Sequence, residues 1–230
     1  MARTRNQGPP AAARIRDADA TRERILDAAL REFADCGYAG ARVVRIAAAA
    51  GVNVQLLYRY FDSKRGLHTA VQRTILEQRA HALDHPGSSL TDALLRYHEG
   101  LTANPDRLRF VEWEALQLGL DPQLDELPHG DERRAALLHR VGQLRVMQKD
   151  GRLPSHLPAD LLYLAIAALA AYPVVFPQVT KMVTGDAVTS ETFRARYAEF
   201  LAELGDAFDT GLRMGGDARG APSHSTARRR

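Results

Sequence analysis

Apolar residues recur at helical spacing from Thr21 onward. Ile25, Leu26, Ala29, Leu30 and Phe33 fall at i, i+1, i+4, i+5 and i+8, one face of a 3.6-residue period, with Arg22, Glu23, Asp27, Arg31 and Glu32 opposite. Gly37 marks the carboxyl end of this first helix. A short second helix over 43–50 places Val43, Ile46, Ala47 and Ala50 on one side, and Gly51 closes it. Asn53 stands where an N-cap belongs, and a third helix over 54–61 turns Leu57 and Phe61 inward. The connection between the second and third helices has the length of a helix-turn-helix turn. Asp62 and Ser63 can cap a fourth helix from Lys64 to about Leu83, which His85-Pro86-Gly87 ends.

The remaining pattern is helical as well: about 89–103, 105–118, 131–150, 159–180 with a kink near Pro173, and 190–213. No run alternates as a strand, and no repeat of 20–50 residues is present. Residues 1–19, with Gly8, Pro9, Pro10 and Arg3, Arg5, Arg14 and Arg16, read as a disordered basic arm, and 215–230 as a disordered tail. The uncharged stretch 161–180 is long enough for a membrane span, but its alanines and Pro173 and Pro177 favour a buried packing helix, so no membrane partner is expected.

Composition adds that this is globular material, 45% hydrophobic and 26% charged, which excludes collagen and a chain disordered throughout. Cys36 is the lone cysteine, so no intrachain disulfide forms, and the expected compartment is the reducing cytoplasm. The net charge of +3 hides an asymmetry. Residues 1–67 hold 12 Lys/Arg against 7 Asp/Glu, while 68–230 hold 19 against 21. A basic module is joined to a mildly acidic one, as when one end meets a polyanion.

The candidate chemistry lies on the third helix. With Leu57 and Phe61 inward, Asn53, Gln55, Arg59 and the phenols of Tyr58 and Tyr60 lie on or beside its outer surface. Tyrosine hydroxyls donate to phosphate, and Gln and Arg read purine edges in the major groove, Gln55 being suited to adenine and Arg59 to guanine. TRERILDAALREFADCGY at 21–38 and VVRIAAAAGVNVQLLYRYFDSKRGL at 43–67 resemble the amino-terminal DNA-binding domain of the TetR family of bacterial transcriptional regulators. The resemblance implies that Tyr58 and Tyr60 touch the operator backbone or adjoining bases and that Lys64 holds a phosphate. It places Asn53, Val54, Gln55 and Arg59 over base edges and brings Arg42 and Arg45 to DNA from the second helix. Where the family commonly has hydroxyl side chains, this chain has Ala41 and Leu56, which removes two expected backbone contacts.

The implied fold is all-α. A helix-turn-helix domain over 20–67 is followed by an effector-binding and dimerisation domain over 68–214. Leu161, Leu162, Ile166 and Leu169, together with Phe193, Tyr197, Phe200, Leu201, Leu204 and Phe208, suit a four-helix interface between two copies, and a homodimer suits a palindromic operator. FPQVTKMVTG at 176–185 resembles the carboxyl-terminal domains of one TetR subgroup. Tyr97, Phe110, Trp113, Glu114, Met147, Tyr163, Tyr172 and Phe176, with His98, are the candidate lining of a pocket for a small-molecule effector. The expected function is a repressor that an effector releases from its operator. The alternative is a weakly specific DNA-binding or ligand-sequestering protein of the same fold.

Catalysis finds no support. Glu77, His81 and His85 pair at i, i+4 without a further metal ligand, Cys36 and Ser155-His156 lack a nucleophile's surroundings, and no Gly-rich phosphate loop is present. No catalytic residue, metal or cofactor is expected.

Overall fold

The computed structural model describes residues 11–82, 87–119 and 127–217, and the described residues contain ten helices and no strand. The helices are α1 (Ala11–Gly40), α2 (Val43–Ala49), α3 (Val54–Phe61), α4 (Lys64–Ala82), α5 (Leu90–Thr102), α6 (Pro105–Leu118), α7 (Gly130–Lys149), α8 (Ala159–Val175), α9 (Pro177–Thr184) and α10 (Glu191–Asp217). They form two compact units, one running through Gln78 and including Pro105–Gly130, the other made of Arg79–Asn104 and the chain from Asp131 onward.

In the first unit the expected periodic residues make the core. Ile25, Ala29 and Phe33 of α1 close on Ile46 and Ala47 of α2, Leu57 and Phe61 of α3, and Leu67, Val71 and Ile75 of α4. Phe110 of α6 joins the same core, and α6 packs along α1. Phe33, His68 and Phe110 meet at centroid distances of 4.7–6.1 Å, His68 stacked on Phe110 and Phe33 edge-on to both.

α1 starts at Ala11 instead of Thr21, so residues 11–19, expected as part of a disordered arm, are helical. Ala11–Ala13 have the highest helix propensity, and neither Gly nor Pro separates them from Thr21. Residues 1–10 of that expectation lie outside the described residues. Gly37 breaks the helix as expected, with φ 63° and ψ 176°. The freed Ala34 carbonyl accepts from Trp113 Nε1 of α6 at 3.0 Å.

In the second unit α5 is the central element, packed by α8 and α10. Thr91 Oγ1 donates to Asp206 Oδ1 at 2.8 Å, and α10 passes so close that a Cβ on Gly205 would stand 2.6 Å from Thr91 Cα. The expected kink near Pro173 is displaced: α8 runs through Pro173 and breaks at Phe176, where α9 turns away by 83°. The cause is Pro177, whose ring excludes the preceding residue from the helical region; Phe176 takes φ −120° and ψ 63°. Each proline also leaves the carbonyl four residues earlier without its helical N–H. Tyr197 Oη donates to Leu169 O at 2.7 Å and Thr180 Oγ1 to Pro173 O at 3.0 Å, so both carbonyls are satisfied.

α10 extends to Asp217, three residues into the segment expected as a disordered tail, and 218–230 lie outside the described residues. No single helix among the described residues is long and apolar enough to cross a membrane; only the bent α8 and α9 pair together reaches that length.

Candidate nucleic-acid interface

The turn between α2 and α3 is built from local chemistry. Gly51 adopts φ 67°, and Asn53 Oδ1 accepts the Leu56 N–H at 2.7 Å, fixing the start of α3. Leu57 and Phe61 anchor that helix, which leaves Gln55, Tyr58 and Arg59 exposed, Tyr58 by 39%. A short helix presenting Gln, Tyr and Arg outward on a buried apolar seam has the shape and donors to enter a major groove.

α2 is held by a residue outside it. Its N-cap, Arg42, offers no side-chain cap, and Glu32 of α1 supplies one: Oε1 accepts the Arg42 N–H at 2.7 Å and Arg45 Nε at 2.8 Å. Burial pushes the Glu32 carboxyl up, but the hydrogen bonds from Arg45 and Arg42 outweigh it and hold it below the ordinary carboxylate range. Arg45 also reaches the Gly40 carbonyl at 3.2 Å. Its guanidinium ties α1 to α2, whereas the Arg42 side chain is exposed.

The other candidates are similarly divided. Val54 and Tyr60 pack against the first-unit core, with Tyr60 tilted on Phe61 at 6.2 Å. Lys64 Nζ stands 4.7 Å from the centroid of Tyr38 and 3.5 Å from the Ala39 carbonyl, at the same end of α1 that Glu32 joins to α2. Ala41 is buried in the core, so the position that lacks a hydroxyl does not face solvent. Leu56 is half-buried, and its N–H is the group that Asn53 caps.

The eight candidate effector residues fall in both units. Phe110, Trp113 and Glu114 belong to the first: Phe110 in its core, Trp113 over Gly37, and Glu114 accepting from Gln72 Nε2 at 2.5 Å. In the second, Tyr97 and Met147 are buried, Tyr163 meets Tyr97 edge-on at 5.8 Å, and Tyr172 and Phe176 form an exposed pair at 5.0 Å. His98 Nδ1 lies 3.4 Å from the Ala170 carbonyl beside the Tyr197 ring, and burial lowers its pKa, keeping it neutral at pH 7.

Two residues carry weight that the sequence pattern did not assign. Glu32 was legible only as part of a polar face, because its partners lie on another helix. Val44 is 69% exposed on α2. Its signal is the adjacent Val43-Val44 pair on a helix with one buried face, which leaves one valine outside, where a methyl group can meet thymine.

A helix-turn-helix on a three-helix core, followed by a second all-helical unit, defines a DNA-binding transcriptional regulator. Residues 25–71 match the model of bacterial regulatory proteins of the tetR family, and 90–202 match a tetracyclin repressor-like C-terminal domain. The chain is 38% identical over 174 residues to the HTH-type transcriptional repressor SCO4008 of Streptomyces coelicolor, covering 74% of this chain and 86% of that protein. It is 31% identical to the HTH-type transcriptional regulator RutR of Escherichia coli over 186 residues, 78% of this chain and 86% of RutR. The solved structure of SCO4942 from Streptomyces coelicolor superposes with a TM-score of 0.66 at 27% identity, covering 80% of this chain and 97% of that one. The chain belongs to the TetR family.

Proposed function

We propose that this regulator is a repressor that binds a palindromic operator as a homodimer and is released by a small-molecule effector. The observation that carries the DNA reading is α3. Its inward Leu57 and Phe61 fix the helix while Gln55, Tyr58 and Arg59 stay free to contact DNA. Arg42 and Val44 of α2 add a phosphate contact and a methyl contact, and Tyr60 and Lys64 serve at the backbone by turning outward from Phe61 and Tyr38. Of the remaining candidates, Asn53 and Val54 set the position of the reading helix and Arg45 holds α2 to α1, and they meet the operator only at its edge.

Dimerisation is supported by apolar surface in the second unit. Leu161 and Leu164 of α8 are 59% and 60% exposed, and Phe200 and Phe208 of α10 are each 47% exposed. A face of that kind on two neighbouring helices matches the interface of a four-helix bundle about a two-fold axis. Two copies of α3 then read half-sites about 34–36 Å apart. The effector is placed in the second unit, beside Tyr97, Tyr163 and Met147, and acts by preferring a subunit arrangement that misaligns the two reading helices. The repressor sense follows SCO4008, which is named a repressor.

Selection of bound sequences from a random duplex library tests this. Wild type enriches a palindrome, and a Gln55→Ala, Arg59→Ala double variant enriches none. A motif without two-fold symmetry, or one enriched equally by both proteins, overturns the reading.

A further inference from the structure

Val44, Arg45, Ala48 and Ala49 are the exposed residues of α2. Arg45 alone among them has a polar side chain, and it is engaged by Glu32 and the Gly40 carbonyl. Val44 and Ala48, one turn apart, share a face, so what α2 presents beyond its Arg42 cap is hydrocarbon. Val44 is 69% exposed, whereas its neighbour Val43 packs against the core.

Stability alone does not call for valine there. A β-branched side chain lowers helix propensity, and at an exposed position packing returns nothing; alanine stands at the other two exposed apolar positions of α2. The isopropyl group is nevertheless held still. One χ1 rotamer dominates for valine in a helix, and Glu32 holds the arginines on either side of it, accepting the Arg42 N–H at 2.7 Å and Arg45 Nε at 2.8 Å. The first helix of a helix-turn-helix crosses the duplex backbone while the second lies in the major groove, which brings the amino-terminal turn of α2 to the groove's rim. The apolar group in that groove is the C5-methyl of thymine; cytosine offers an amino donor and no methyl. A side chain with neither donor nor acceptor tells pyrimidines apart there by that methyl.

We propose that Val44 is a specificity-determining residue that reads a 5-methylpyrimidine in each half-site: thymine in the unmodified operator, and 5-methylcytosine where that base stands in the same place. α3 reads its bases by hydrogen bonds, and α2 adds one position read through a methyl group, which makes binding sensitive to cytosine methylation at that position. The inference rests on the operator reading above and extends it to the chemistry of one base.

The probe is the palindrome that wild type selects from a random library, with each thymine and its symmetry mate replaced in turn by deoxyuridine, which deletes only the C5-methyl. Fluorescence anisotropy with the full chain is expected to find one symmetric pair whose replacement weakens wild type about fourfold per half-site. Val44→Ala binds the parent palindrome more weakly and responds to the same replacement by less than about twofold. With cytosine at that pair, C5-methylation tightens wild type at least about twofold and leaves Val44→Ala unchanged. Circular dichroism melts check that the variant is folded, as an exposed valine replaced by a better helix former should be. No thymine methyl that matters to wild type, an equal loss in wild type and Val44→Ala, or equal binding of wild type to the cytosine and 5-methylcytosine duplexes overturns the proposal. A library that yields no palindrome overturns the operator reading itself. A palindrome lost with Gln55→Ala, Arg59→Ala but indifferent to every thymine methyl leaves that reading standing and overturns this one alone.

Discussion

Tyr197 Oη donates at 2.7 Å to the carbonyl of Leu169, the one group on α8 that Pro173 deprives of its helical N–H. A proline inside a helix costs about 3 kcal/mol partly through that lost bond, and here a hydroxyl from α10 replaces the bond. Burial raises the Tyr197 phenol's pKa, so it remains an O–H donor at neutral pH. Tyr197→Phe is expected to lower stability by about 1 kcal/mol in urea unfolding at fixed protein concentration. In a Pro173→Ala background the new Ala N–H takes the Leu169 carbonyl, and the same substitution costs less than half as much. Equal costs in both backgrounds would remove the proposed link.

Glu32 has one carboxylate oxygen serving both the N-terminus of α2 and Arg45. Glu32→Ala leaves the Arg42 N–H without its cap and is expected to cost about 2 kcal/mol, with amide exchange at Arg42 and Val43 speeding up. Glu32→Gln keeps an acceptor and costs about half of that, since Arg45 is half exposed and its ion pair is solvent-screened. The folded carboxyl titrates below its unfolded value, so this stabilisation is present above the ordinary carboxylate range and is lost as pH falls through the folded pKa.

Gly37 and Trp113 meet so closely that a Cβ at position 37 would stand 2.9 Å from the indole ring, at a φ of 63° that L-residues rarely adopt. Gly37→Ala is expected to destabilise by about 1–3 kcal/mol. Trp113 is the only tryptophan in the sequence, so its emission reports the event directly. An unchanged spectrum with unchanged stability would contradict the close packing.

His68 stays neutral down to about pH 4 in the folded chain, against about 6.5 for an exposed imidazole. The unfolded chain therefore takes up a proton first. Stability is full above about pH 6.5 and declines as pH falls toward 4, by about 2–3 kcal/mol in total from this group. Histidine-ring NMR should place the His68 midpoint near 4, and His68→Phe should flatten the decline over that interval. A midpoint near 6.5 would contradict the buried stack.

Local chemistry explains what was legible in the sequence. α3 begins and ends as its Asn53 cap and its Leu57 and Phe61 pair require, and α6 starts at Pro105, where φ is already set for a helix. What was not legible depends on partners far along the chain. Periodicity says that Phe110 and Tyr97 are buried but not in which core, so aromatics of two units read as one pocket. The Glu32 cap, the Trp113 contact at Gly37 and the Tyr197 rescue of Leu169 join separate helices, and no spacing rule reaches that far. At the α8–α9 break both prolines were visible, but the sharper effect belongs to Pro177, because Tyr197 supports the helix through Pro173.

Sequence-specific reading of a duplex by α3 is tested most directly by competition binding at physiological salt. A selected palindromic duplex and a random duplex of equal length are titrated by fluorescence anisotropy with wild type and with Gln55→Ala, Arg59→Ala. Wild type is expected to prefer the palindrome by about 1,000-fold or more, and the double variant to lose most of this preference while keeping its salt-dependent affinity for random DNA. Equal affinity of wild type for the two duplexes would contradict it.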